Sequence, residues 1–211
     1  MQPSLKLPSV SLVAEGLACE RGGRRIFSDV AFTLSSGDAL VIRGGNGSGK
    51  TSLLRILAGL ATAASGRITL EEGGFSPLHR GGCLHYVGHR DGLKASLSAQ
   101  ENLSFWATFL GGNKHTAKTV TSALAAFGLP YVLPVPVAHL SAGERRRIAL
   151  ARLLTVQRPV WLLDEPTTGL DSPSRTKLAD IINRHRAEGG LLVMTTHDAY
   201  TPDEAITLKL G

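Results

Sequence analysis

The segment Gly44-Gly45-Asn46-Gly47-Ser48-Gly49-Lys50-Thr51, with Ser52 after it, has the spacing G-x-x-x-x-G-K-[ST]. It lies between an apolar run, Ala39–Ile42, and a stretch in which Leu53, Leu54 and Leu57 recur at helical spacing. Glycines let a backbone curl so that its N–H groups face phosphate oxygens, and the helix that follows adds the positive end of its dipole. In such a loop Lys50 reaches the β- and γ-phosphates of a nucleotide and Thr51 holds Mg²⁺. A glycine-rich turn before an ordinary helix is the plainer alternative, and the strand and helix on either side argue against it.

Val160-Trp-Leu-Leu-Asp164-Glu165 puts two carboxylates at the end of an apolar run, where the strand ends of α/β sheets place ligand groups. Asp164 then serves the metal, and Glu165 orients or deprotonates an attacking water. Ser141-Ala142-Gly143-Glu144 has the form of a capping box at a helix start, and an exposed helix N-terminus is also what an anion needs. His79, Cys83, His85 and His89 are ligand types for zinc or iron, but their spacing matches no ligand pattern. Arg145-Arg146-Arg147 has no interleaved aromatic residues to stack on bases, so it reads as a solvated helix face or a contact for an acidic loop.

These groups need elements to position them. Short strands are expected at Val10–Ala14, at 26–34 with a break at Ser28-Asp29, at 38–43 and at 67–70, several of them antiparallel. Ser98-Ala-Gln-Glu101 is a capping box ahead of Leu103, Trp106, Phe109 and Leu110, and a second helix carries Val120, Ala123, Leu124 and Phe127. Pro130, Pro134 and Pro136 predict an extended connector. Helix over Ala142–Val156, strand over Val160–Asp164, helix over Pro173–Arg186 and strands over 191–196 and 206–210 complete an α/β pattern. A chain of 211 residues suits one domain, at ~100–200 residues per domain. Its 43% hydrophobic and 19% charged composition is that of a core-forming globular protein. No apolar run approaches the ~20 residues that span a bilayer, and the start MQPSLKLPSV fits neither a secretory signal nor a transit peptide. Two cysteines, Cys19 and Cys83, make no disulfide framework and suit a reducing compartment. The net charge of +6 favours phosphates, nucleic acid or an anionic surface without choosing among them.

Taken in series, these motifs resemble those of ABC-type ATPases. Leu140-Ser141-Ala142-Gly143-Glu144 resembles the family's LSGGQ signature, Gly169-Leu-Asp171 its D-loop, and Thr195-Thr-His197 its switch histidine. The resemblance runs from about Val10 to the end of the sequence. It implies an α/β fold: a P-loop NTPase (RecA-like) core with an antiparallel β subdomain and an inserted α-helical subdomain. The core would take residues 1–90 and 148–211, and the helical subdomain about 91–147, with no regulatory or membrane domain. It implies ATP and Mg²⁺ as ligands, Gly44–Ser52 as the ATP loop, Thr51 and Asp164 at the metal, and Glu165 and His197 at the chemistry. It also implies that the signature closes over ATP held by a second copy, in a head-to-tail dimer. Two departures stand out: His89 occupies the place of a glutamine that senses metal and water, and Arg21 that of an aromatic residue that stacks on adenine.

Within the family, Cys19-Glu-Arg21, Gly88-His89, the Leu-Ser-Ala-Gly signature and the ending Lys209-Leu-Gly211 are similar to the ATP-binding subunits that serve haem delivery in cytochrome c maturation. That likeness implies an ATPase on the cytoplasmic side of a bacterial inner membrane, attached peripherally through an integral membrane subunit, without nucleic acid as a partner. The alternatives are an ATPase of another exporter, moving lipid or drug, or a soluble ABC protein acting on ribosomes or nucleic acid.

Overall fold

The computed structural model describes residues 7–72, 75–77, 80–111, 117–197 and 200–211. These divide into two compact units: Met1–Gly88, Arg158–Pro166 and Ile182–Gly211 form one, and His89–Gln157 with Thr167–Ile181 the other.

The first unit holds two sheets. In the antiparallel one, β1 (Val10–Arg21) pairs with β2 (Arg24–Ser35) through a turn at Gly22-Gly23, and on its other side with β4 (Ser65–Glu72), which pairs with β5 (Phe75–Pro77). Alternate residues Val10, Leu12 and Ala14 are buried, as a period of two demands of a strand with one face on the core. The break expected at Ser28-Asp29 is a bulge inside one continuous strand. Between the pairs Leu17↔Val30 and Cys19↔Phe27, β2 uses one residue more than β1, and Asp29 takes the left-handed φ of 53°.

The parallel sheet has the order β6-β7-β8-β3-β9, with β3 at Ala39–Arg43, β6 at Leu84–Val87, β7 at Val160–Asp164, β8 at Leu191–Thr195 and β9 at Ile206–Lys209. β7 and β8 are buried at every position, which explains their unbroken apolar runs. Helix α1 (Lys50–Leu57) packs on both and buries Leu53, Leu54, Ile56 and Leu57; each such side chain contributes ~1.5–3 kcal/mol. They join Leu40, Ile42, Leu162 and Val193 in a core shared with Leu12, Leu17 and Leu34 of the antiparallel sheet. Because β3, β7 and β8 run parallel, their C-terminal ends lie side by side. The phosphate loop, Asp164-Glu165 and Thr195-Thr-His197 all follow those ends.

Trp161 of β7 stacks face to face on His185, with centroids 3.8 Å apart and planes 8° from parallel. A Cβ at Gly190 would run into that imidazole, so the glycine is required by close approach.

The second unit contains α3 (Ala99–Gly111), α4 (Ala117–Ala126) and α5 (Ala142–Ala151), after the short α2 (Arg80–Cys83) of the first unit. Helix α6 (Ser172–Ala187) begins in the second unit and ends in the first. Ser98 caps α3 as its sequence suggests: its hydroxyl and N–H both donate to Glu101 at 2.8 Å. Trp106 donates from Nε1 to the carbonyl of Gly92 at 3.0 Å, and the Arg152 guanidinium lies 4.7 Å over its ring. Two expectations give way here. The connector expected from Pro130, Pro134 and Pro136 is not extended throughout, because Pro130–Val132 and Val137–His139 are 3₁₀ turns. Pro130 takes the first position of one turn, where its fixed φ fits, and Pro136 stands at the N-cap of the other. Helix α5 stops at Ala151 and tightens into a 3₁₀ turn over Arg152–Leu154, closed by the Thr155 hydroxyl on the Arg152 carbonyl at 2.8 Å.

Candidate functional site

The loop Gly44–Gly49 connects β3 to α1. Gly49 stands at the helix N-cap with φ 97°, and a Cβ there would meet Ile26 and Phe27 at 2.6 and 2.8 Å. No other residue type fits that turn. Helix α1 has no side-chain cap and no acidic residue in its first turn, so its N–H groups and dipole are left for an anion. Lys50 is 7% exposed, and its ammonium donates to the carbonyls of Gly44 and Gly45 at 2.8 and 3.0 Å. A lysine has three N–H donors, so one remains for a phosphate oxygen.

Beside the loop, the Thr51 hydroxyl donates to Asp164 Oδ2 at 2.9 Å. Asp164, 2% exposed, accepts a second hydroxyl, that of Thr195, on Oδ1 at 2.7 Å. Thr195 Oγ1 in turn accepts the backbone N–H of Glu165 at 2.9 Å. Glu165 adopts a left-handed φ of 47°, a conformation that costs a non-glycine residue ~1–2 kcal/mol. Its Oε1 is 3.1 Å from His197 Nε2. A cavity of about 460 Å³ is lined by Arg21, Ile26, Asn46, Gly47, Lys50, Thr51 and Glu165. With Asp164 bonded to Thr51 behind it, the site combines anion-binding N–H groups, an ammonium, an all-oxygen pair suited to a hard cation, and the Glu165 carboxylate. That is a set for polyphosphate binding and water activation.

Leu140–Glu144, Asp171 and His89 lie in the second unit. Ser141 caps α5, its hydroxyl donating to Glu144 Oε2 at 2.7 Å and its N–H at 2.9 Å, while the Tyr131 hydroxyl donates to Glu144 Oε1 at 3.0 Å. Bonding from the Ser141 hydroxyl and N–H holds the Glu144 carboxyl below the usual range. Gly143 and Ala142 form the first turn of α5, behind the buried Leu140. Asp171 accepts the N–H of Ser174 at the start of α6, and its bonds to Ser174 lower its carboxyl in the same way. His89 is exposed and lines a groove of about 630 Å³ with Arg90, Leu93, Val137 and Arg145.

The Arg145–Arg147 run is not the solvated face expected of it. Arg145 donates to the Leu140 carbonyl at 3.0 Å, Arg146 pairs with Asp91 at 3.2 Å while 6% exposed, and Arg147 reaches the carbonyls of Gly143 and Phe127 at 3.4 Å. Leu140 and Phe127, ahead of α5, present carbonyls that draw Arg145 and Arg147 inward, and the Asp91 carboxylate draws in Arg146. His79 lies outside the described residues, and no group of three potential metal ligands occurs among the described ones. The sequence reading missed Thr195 as a part of the site. Its only signal was a hydroxyl at the end of the otherwise apolar run Leu191–Met194.

Residues 27–168 match the ABC transporter family profile. Over 186 residues the chain is 52% identical to a protein of Nitrobacter winogradskyi named cytochrome c biogenesis ATP-binding export protein CcmA, covering 88% of this chain and 91% of the relative. A protein of the same name from Bradyrhizobium diazoefficiens is 50% identical over 202 residues, 96% of this chain and 98% of its own. Among solved structures, a putative ABC transporter ATP-binding protein from Pyrococcus furiosus shares the fold with a TM-score of 0.81 at 21% identity, over 95% of this chain and 97% of that one. A dimeric ATP-binding cassette bound to ADP and Pi in a post-hydrolysis state gives 0.77 at 22% identity, over 89% and 88% of the two chains.

Proposed function

The chain belongs to the ABC transporter ATP-binding family, and from that premise we infer that it hydrolyses ATP to drive an export step in the biogenesis of c-type cytochromes. The observation that carries the cytochrome role is identity of about half of all positions with proteins named for it, across nearly the whole length of both chains. The catalytic part is supported by the loop, the carboxylate pair and the histidine at adjoining strand ends.

The chain's own residues divide the work. The N–H groups of Gly47–Thr51 and the Lys50 ammonium hold the β- and γ-phosphates. Arg21 and Ile26 offer a guanidinium plane and an apolar edge to the base. Thr51 and Asp164 are the residues that would hold Mg²⁺, and their oxygen-only pairing fits it. The ion, when bound, neutralises charge on the phosphate oxygens. Glu165 accepts the proton of the attacking water, and His197 donates a hydrogen bond to the γ-phosphate. The Ser141 end of α5 closes over ATP held by a second copy, in a head-to-tail pair. In that step its hydroxyl trades the Glu144 carboxylate for a phosphate oxygen. Asp171 faces the partner copy, and His89 stands where the family has a glutamine that senses metal and water.

No helix among the described residues is long and apolar enough to cross a membrane. The resemblance to ATP-binding subunits of exporters supports attachment to the inner membrane, on its cytoplasmic side, through an integral membrane subunit. Haem delivery to exported apocytochromes is the step served. A strain whose only copy carries Glu165→Gln tests this reading: apocytochromes should be made but acquire no covalent haem. Normal c-type cytochrome levels, with the variant as abundant as wild type, would reject the cytochrome role and leave ATP hydrolysis untouched.

A further inference from the structure

Asp164 and Thr195 are register partners at the ends of the parallel strands β7 and β8. Side chains in register on neighbouring strands leave the sheet on the same face, which brings this carboxylate and this hydroxyl together at 2.7 Å. The hydroxyl has one hydrogen, and Asp164 Oδ1, an acceptor only, takes it. Its lone pair is then free to accept, and the N–H of Glu165 fills it at 2.9 Å. That direction of bonding is the only one these three groups allow. Thr195 is 0% exposed, so water does not compete for either bond.

The N–H of Glu165 needs such an acceptor. The β7–β8 ladder ends at the pair Asp164↔Thr195, and Glu165 turns out of the strand with a left-handed φ of 47°. A side-chain oxygen thus stands where the next strand carbonyl would have been. The same oxygen fixes Asp164 Oδ1 while Thr51 holds Oδ2, so the two carboxylate oxygens are oriented by one hydroxyl from the end of β8 and one from the first turn of α1.

We propose that Thr195 is a positioning residue of the ATPase site: its buried hydroxyl pins the peptide of Glu165 in the strained turn that aims the carboxylate at water, and ties that turn to Asp164. The proposal rests on the ATPase reading of this site. Thr195, 0% exposed, acts through its bonds to Glu165 and Asp164. Its loss should leave the phosphate loop, and therefore binding, intact, while Glu165 relaxes toward an ordinary extended backbone and loses its aim.

Thr195→Val removes the hydroxyl at nearly constant volume, and Thr195→Ser keeps it. In steady-state ATPase assays the valine variant should lose about tenfold or more in kcat, the effect of one misplaced hydrogen bond, with KM changed by less than about threefold. Affinity for a non-hydrolysable ATP analogue, titrated with and without Mg²⁺, should stay near wild type without the ion. Serine should restore most of kcat. Wild-type kcat in Thr195→Val, or equal losses in the serine and valine variants, would overturn the proposal. If the valine variant fails to fold, Thr195→Ala against Thr195→Ser makes the same comparison, and equal rates in that pair overturn it. Glu165→Gln in the same assay separates the two readings, since wild-type turnover there would count against the ATPase site itself.

Discussion

His197 Nε2 lies 3.1 Å from Glu165 Oε1. The two side chains come from the ends of neighbouring strands, β8 and β7, and Glu165 lines the same cavity as the phosphate loop. The imidazole and the carboxylate hold each other in place. We expect a bound γ-phosphate to take the imidazole's N–H and leave the carboxylate to water.

Replacing His197 with alanine should therefore slow hydrolysis without loosening nucleotide. Removal of one donor aimed at developing charge lowers kcat by roughly 10²-fold. Single-turnover ATPase rates together with a nucleotide titration check this. A rate equal to wild type would place His197 outside the chemistry.

Lys50→Ala should weaken ATP binding by roughly 100-fold, the loss of about 3 kcal/mol for a charge-assisted bond to phosphate. The fold should survive, because the lysine bonds only to the carbonyls of Gly44 and Gly45 on its own loop. Isothermal titration with ATP, beside a thermal melt, tests both halves.

Glu165→Gln keeps shape and hydrogen-bonding reach but cannot accept a proton. Hydrolysis should fall by roughly 10²- to 10⁴-fold, and ATP should then hold two copies together. Size-exclusion chromatography with light scattering, run with ATP and with ADP, should show a dimer only with ATP. A variant that hydrolyses at the wild-type rate would put the base elsewhere.

Burial pushes His185 down from the ordinary 6.5 to about 4. The folded protein therefore binds fewer protons than the unfolded chain between those values, and stability rises with pH across that window. Above pH 6.5 the cost is absent; it grows as pH falls and is complete below about 4, where it reaches about 3 kcal/mol. Thermal melts from pH 7 to pH 4 should show a steep loss of stability that His185→Phe, which keeps a ring on Trp161, makes shallower. Parallel curves for the two proteins would contradict a buried neutral imidazole.

Gly190→Ala drives a methyl group into the His185 ring, which the Trp161 stack holds in place. A cost of about 2 kcal/mol or more is expected, read as a lower urea midpoint with an unchanged slope. Equal midpoints would mean that the ring moves aside freely.

What was legible in the sequence was local. The phosphate loop declares itself because glycine spacing, lysine and threonine sit within one short segment, and the carboxylates Asp164-Glu165 because they end an apolar run. The capping pairs Ser98/Glu101 and Ser141/Glu144 are three residues apart and appear in the structure as bonded boxes. What could not be read depended on registers between distant strands. Thr195 meets Asp164 across 31 positions of chain, only because β7 and β8 pair in one particular alignment. The bulge at Asp29 likewise follows from pairing with β1, and local propensity saw only a break. The arginine run misled because charge predicts solvent, whereas carbonyls ahead of α5 and the Asp91 carboxylate draw guanidinium groups inward.

The two tryptophans of this chain fall one to each unit, which gives the protein two built-in optical reporters. Trp161, 3% exposed and pressed on a neutral imidazole, should emit to the blue. Trp106, half-buried beneath the Arg152 guanidinium, should emit further to the red. Since a protonated imidazole quenches a stacked indole, acidification should dim the blue component first and spare the red one. Emission spectra taken along a denaturation would then resolve the parallel sheet and the helical unit as separate colours, without any added label.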